Sequence, residues 1–168
     1  ISYHIYKISL RVRGHVNLKS AVLSLSFLSV LSFATVSGQY PTMPDDHLTP
    51  GALCEKADAY RYPEKIKYCN RGVTTGEKWQ VIDSYDAEGY QIRKLDRKEF
   101  KIDHLIPLCA GGSNEPENLW PQHSSVYVVT DKIEATLCEV MAEGRISQAD
   151  AVELIINVKH HLETAPAV

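Results

Sequence analysis

Asp103, His104 and Asn118 fall within one short run, Lys101-Ile102-Asp103-His104-Leu105-Ile106-Pro107-Leu108-Cys109-Ala110-Gly111-Gly112-Ser113-Asn114-Glu115-Pro116-Glu117-Asn118-Leu119-Trp120-Pro121-Gln122. The run combines an acid, a base and an amide. A histidine titrates near about 6.5, so at neutral pH much of it is free base and can take a proton. A carboxylate offers oxygen to a hard cation, which keeps several waters and so needs only one or two protein ligands. Adjacent side chains on a strand point to opposite faces. Asp103 and His104 therefore share a site only where their strand twists or ends.

The local pattern predicts such an end. Phe100, Ile102 and His104 alternate with Lys101 and Asp103, which reads as a strand. Pro107 stops it, and Gly111-Gly112 with Ser113-Asn114 forces a reversal. Asn118 then stands just before the apolar pair Leu119-Trp120.

Asp103-His104, Ile106-Pro107, Gly111-Gly112 and Glu117-Asn118-Leu119 make this run resemble the His-Me finger nucleases, specifically the HNH-type endonucleases. The form with Leu119-Trp120-Pro121-Gln122 is similar to a group of small secreted bacterial HNH-like proteins. A weaker upstream match is Tyr62-Pro63-Glu64-Lys65-Ile66 followed by Tyr68-Cys69-Asn70-Arg71. The resemblance implies a small α+β domain whose heart is a ββα-metal hairpin and helix, flanked by further helices and stapled by disulfides. It implies an exported, divalent-metal-dependent endonuclease acting on DNA, with RNA also open, and with little sequence preference. The expected metal is Mg²⁺, with Mn²⁺, Ca²⁺ or Zn²⁺ as alternatives. His104 would act as general base and Asp103 as metal ligand. Asn118 would pin the loop and orient the histidine; its amide oxygen reaching the metal is the other reading.

The family carries a third functional His or Asn on the helix after the hairpin. Here that offset holds Val126-Tyr127-Val128, with no good ligand. His123 is the first substitute, ahead of Asp131 and Glu134 on the following helix. For phosphate contacts, Arg97, Lys98 and Lys101 stand out from a basic cluster that also holds Arg93 and Lys94. Arg71 is a further contact, with Arg61 as an alternative. The bland counterpart of that cluster is a solvated charged loop. Two rival classes are a binding module that kept the fold without catalysis, and a hydrolase of another phosphoester or a cell-wall polymer.

The 168-residue chain suits one domain after a leader. Lys7, Arg11, Arg13 and Lys19 precede the apolar run from Ala21 to Leu31, and small residues follow to Gly38. Residues 1–38 thus read as an export signal, with an uncleaved anchor as the alternative. Residues 39–50 read as a flexible leader and 51–168 as the domain, secreted or periplasmic and monomeric. Losing those four basic residues from 18, against 21 acidic ones, moves the formal charge from −3 to −7. An acidic balance suits a nuclease poorly, since phosphate binding leans on Lys and Arg; only local clustering offsets it.

Four cysteines, Cys54, Cys69, Cys109 and Cys138, all follow the leader, an even count that argues for disulfides with three pairings open. The preferred pairing is Cys54–Cys69 with Cys109–Cys138; the second would tie the loop after His104 to the helix behind it. Elsewhere the patterns predict a short helix over 52–59 and a capping box, Thr74 with Glu77, opening a helix through Tyr85. A helix from Ser125 would bury Val129, Ile133, Leu137 and Val140 and end at Gly144. A last helix capped by Ser147 would bury Val152, Ile155, Ile156 and Leu162.

Overall fold

The computed structural model describes residues 40–164; the stretch read as an export signal lies outside them. The described chain is a small mixed α/β domain with two antiparallel hairpins, three helices and two disulfides. Strands β1 (Ala59–Arg61) and β2 (Ile66–Tyr68) form one hairpin. Helix α1 spans Thr75–Ala87. Strands β3 (Phe100–His104) and β4 (Leu119–His123) form the second hairpin, and α2 (Ser124–Ala142) follows β4 at once. Helix α3 spans Gln148–His160. None of the described helices is long and apolar enough to cross a membrane.

In the second hairpin Asp103 pairs with Trp120 and His104 with Leu119, so β3 ends at the histidine. Pro121 can sit in β4 because a two-stranded sheet has only edges, where a missing N–H costs no ladder bond. Two apolar clusters flank the hairpin. One joins Leu105, Ile106 and Ala110 to Ile133 and Leu137 of α2 and Ile155 and Val158 of α3. The other joins Phe100, Leu119 and Trp120 to Val81, Ile82 and Tyr85 of α1 and Val126 of α2.

Helix α1 begins at the expected capping box: the Glu77 N–H donates to Thr74 Oγ1 at 3.3 Å and the Thr74 N–H donates to Glu77 Oε2 at 2.6 Å. Helix α2 differs from its predicted face. Its buried residues are Val126, Thr130, Ile133, Leu137 and Met141, while Val129 is exposed. The buried Gln122 amide donates to Thr130 Oγ1 at 2.8 Å, so a polar side chain fills a core position. The helix predicted over 52–59 is absent. An isolated segment of that length does not hold a helix unaided. Here Cys54 is fixed to Cys69 and its N–H donates to the Gly111 carbonyl at 2.8 Å.

The stretch read as a flexible leader packs on the domain. The Asp45 N–H donates to the Tyr85 hydroxyl at 3.0 Å, and Thr49 Oγ1, fully buried, donates to the Leu119 carbonyl at 2.8 Å. Thr49 and Tyr85 also share a hydrogen bond of 2.9 Å. Burial pushes the Tyr85 hydroxyl up to about 12.

The disulfides are Cys54–Cys69 and Cys109–Cys138, as preferred from the sequence. The second ties the turn after β3 to α2 across 29 residues. Replacing Cys109 and Cys138 together by Ala should lower stability by about 2–4 kcal/mol in urea unfolding, and an unchanged midpoint would contradict this role.

Candidate functional site

The site is built on the loop from Leu105 to Asn118, between the two strands of the second hairpin. Asn118 is fully buried and holds that loop shut. Its Oδ1 accepts from the Ile106 N–H at 2.9 Å. Its Nδ2 donates to the Ile106 carbonyl at 3.0 Å and to the Ser113 carbonyl at 2.9 Å. With its amide bonded to main chain at three points, Asn118 has the loop-pinning geometry. Gly112 lies inside the same closure. A Cβ there would stand 1.8 Å from the Ile106 carbonyl oxygen and 2.8 Å from Asn118 Nδ2. Only glycine fits, which is why the Gly111-Gly112 pair marks this turn.

His104, at the end of β3, is 4% exposed. Its Nε2 lies 3.1 Å from Asn114 Oδ1. The other end of that amide is committed, since Asn114 Nδ2 donates to the Asn70 carbonyl at 2.7 Å. The amide therefore presents oxygen to the ring, so Nε2 carries the proton and Nδ1 keeps the lone pair. Burial pulls the imidazole below its ordinary value, and Arg71 and Lys159 add to that; the bond to Asn114 and the charge of Asp103 oppose it. A neutral ring with a lone pair at Nδ1 is the form that a proton acceptor needs.

Asp103 is also buried, at 8% exposure. Its carboxylate gathers with those of Asp131, exposed, and Glu134, half-buried, so that one oxygen from each lies within 4.8 Å of the others. This acidic triad could hold a metal ion. Two lysines meet it. Lys101 Nζ lies 2.7 Å from Asp131 Oδ1 and 3.2 Å from Asp103 Oδ2. Burial lowers the Lys101 pKa, but Asp131 and Asp103 outweigh it and hold the ammonium above the ordinary lysine value. Lys159, wholly buried on α3, lies 2.6 Å from Glu134 Oε1 and donates to the His104 carbonyl. Burial raises the Glu134 pKa, opposed by Lys159 and reinforced by Asp103. Asp103 Oδ2 and Glu134 Oε1 take these lysines as their polar partners.

The donor set is all oxygen, which suits Mg²⁺, Mn²⁺ or Ca²⁺ better than Zn²⁺. His123 is not part of it. It pairs with Phe100 at the far end of the hairpin, about 13 Å along the strand from the His104 level at ordinary strand rise. There its Nδ1 accepts from the Ser125 N–H at 3.2 Å, capping α2, and its ring stacks on Tyr40 at 3.6 Å. Asp131 and Glu134 stand where His123 was expected.

Of the expected phosphate contacts, Lys101 lies at the triad and the exposed Arg71 lies close enough to act electrostatically on His104. Arg97 covers the Phe100 ring at 4.6 Å, and Lys98 is exposed in the turn before β3, both at the far end of that strand. Arg93 is paired with Asp83. The sequence reading missed two residues. Asn114 was read only as a turn residue. Lys159 could have been found as a lysine four residues after Ile155 on the apolar face of α3.

Compared with family models, curated proteins and solved structures, the chain matches none.

Two outcomes check this geometry. Asn118→Ala leaves one buried N–H and two carbonyls without partners and should cost about 3 kcal/mol in urea unfolding; a loss near zero would show the pin to be dispensable. Nitrogen-15 spectra of the histidine side chains should place the His104 proton on Nε2 and show tautomer exchange in Asn114→Leu. A proton on Nδ1 in the unaltered chain would contradict the assignment.

Proposed function

We propose that this protein is an exported, divalent-metal-dependent endonuclease of the HNH type, cutting DNA with little sequence preference and with RNA as a second substrate to test. One observation carries the reading: a neutral, amide-oriented imidazole follows directly on a buried carboxylate that belongs to an all-oxygen triad. The hairpin β3–β4 leading straight into α2 is the layout expected of a ββα-metal unit, with His104 at the end of β3 and Asp131 and Glu134 on α2.

In this mechanism His104 Nδ1 takes the proton of the attacking water. Asn114 holds the ring in that tautomer, and Asn118 fixes the loop that carries both. Asp103, Asp131 and Glu134 would hold the cation. When bound, it would neutralise charge at phosphorus and stabilise the leaving alkoxide. Arg71 offers a guanidinium to the same phosphate from the His104 side. In this reading the substrate is recognised through its backbone, by the cation and by Arg71.

Two disulfides fit an oxidising compartment, and export to the periplasm or beyond is the reading that matches them. The rival reading, a binding module without catalysis, draws on the lysines that already neutralise two of the carboxylates.

A plasmid-nicking assay separates the two. The protein should nick supercoiled DNA with Mg²⁺ or Mn²⁺ and stop with EDTA. His104→Ala should lose at least about 100-fold in rate, the usual worth of a general base, with an unchanged circular dichroism spectrum. Cleavage that survives either EDTA or His104→Ala would refute the mechanism, and no cleavage under any divalent ion would favour the binding module.

A further inference from the structure

Lys101 and Lys159 meet the same triad in different ways. Lys159 is wholly buried and also holds the His104 carbonyl, so it cannot leave without breaking the end of β3. Lys101 keeps 36% of its side chain exposed, and its ammonium contacts Asp131, Asp103 and, at 4.9 Å, the Tyr127 ring centroid. Its flexible four-carbon stem lets the ammonium swing outward into water. The charges support this division. The triad carries −3 when ionised; fixed Lys159 cancels one charge and leaves −2, the complement of one divalent ion. Lys101 covers only part of that −2.

We propose that the Lys101 ammonium is a resident stand-in for the divalent cation: it holds Asp103 and Asp131 together in the metal-free protein, is displaced when the ion binds, and then turns to the substrate phosphate. The inference rests on the metal-dependent reading above. At equal distance a doubly charged ion attracts the same carboxylates more strongly than a single ammonium does. The site therefore stays ordered without metal, at a cost in metal affinity. Release of the lysine adds a positive group beside the bound ion only when the ion is present, so metal loading and backbone binding are linked. Lys101 shares its strand face with Asp103, two residues on, so the freed ammonium remains next to the site.

The test measures Mn²⁺ binding to the full chain by electron paramagnetic resonance, for the unaltered protein, Lys101→Met and Asp131→Asn. Lys101→Met should bind Mn²⁺ tighter, on the order of two- to fivefold, as expected for removing a competing, partly exposed ion pair, and Asp131→Asn should lose most binding. Equal or weaker binding by Lys101→Met, with Asp131→Asn still impaired, overturns the stand-in role and leaves the metal site intact. If neither the unaltered chain nor Lys101→Met binds Mn²⁺, the metal-dependent reading fails as well. A measurement without substitution guards against a misfolded variant. The nitrogen-15 signal of the Lys101 ammonium should shift on saturation with Mg²⁺, and an unmoved signal refutes displacement. Finally, with Ca²⁺ saturating, Lys101→Met should bind a short fluorescent duplex more weakly, with a salt slope smaller by about one; an unchanged slope removes the phosphate half of the proposal.

Discussion

Three hydrogen bonds from one buried amide hold the site in place. Asn118 closes the loop between β3 and β4 by bonding both polar groups of Ile106 and the carbonyl of Ser113. Those main-chain groups are buried, so each would cost free energy if left unpaired. The closure sets where β3 stops, and so where Asp103 and His104 can diverge from strict alternation. It also forces the tight approach at Gly112, where no side chain fits. Around it, Leu105 and Ile106 are anchored in the core beneath α2 and α3, and Cys109 is tied to α2. The polar site thus rests on a rigid apolar base.

Electrostatics then divides the site in two. On one side of β3, burial and an oriented amide keep an imidazole neutral. On the other, three carboxylates crowd together and are balanced by two ammoniums. Lys159 links the halves, since it pairs with Glu134 and also donates to the His104 carbonyl. A buried lysine is costly unless fully paired, and here both contacts are needed to hold it. The first disulfide reaches the same site by another route. Cys69 is followed by Asn70, whose carbonyl orients Asn114 and through it the His104 ring.

The hairpin was legible in sequence because its signals are local. Alternation marks β3, Pro107 ends it, and the Gly-Gly pair turns it. The capping box of α1 and Ser147 at the start of α3 were legible for the same reason. The face of α2 was not, because Thr130 reads as polar and its partner Gln122 lies eight residues away. The helix carboxylates were ranked behind His123 on similar grounds. His123 is chemically the better ligand, but strand register puts it at the wrong end of the hairpin. Asp131 and Glu134 reach Asp103 only because α2 packs back along β3, which no local pattern encodes. Lys159 was passed over because a lysine on a helix normally faces water, although it stands four residues after Ile155 on the buried face of α3.

The central claim is that a divalent cation is held by Asp103, Asp131 and Glu134, at the end of β3 where His104 follows Asp103. Anomalous diffraction at the manganese edge, from crystals soaked in Mn²⁺, tests it most directly. The account predicts one strong peak within bonding distance of Asp103 and of at least one helix carboxylate. A sole peak elsewhere, or a saturated crystal with the triad still bridged by lysine, would contradict it.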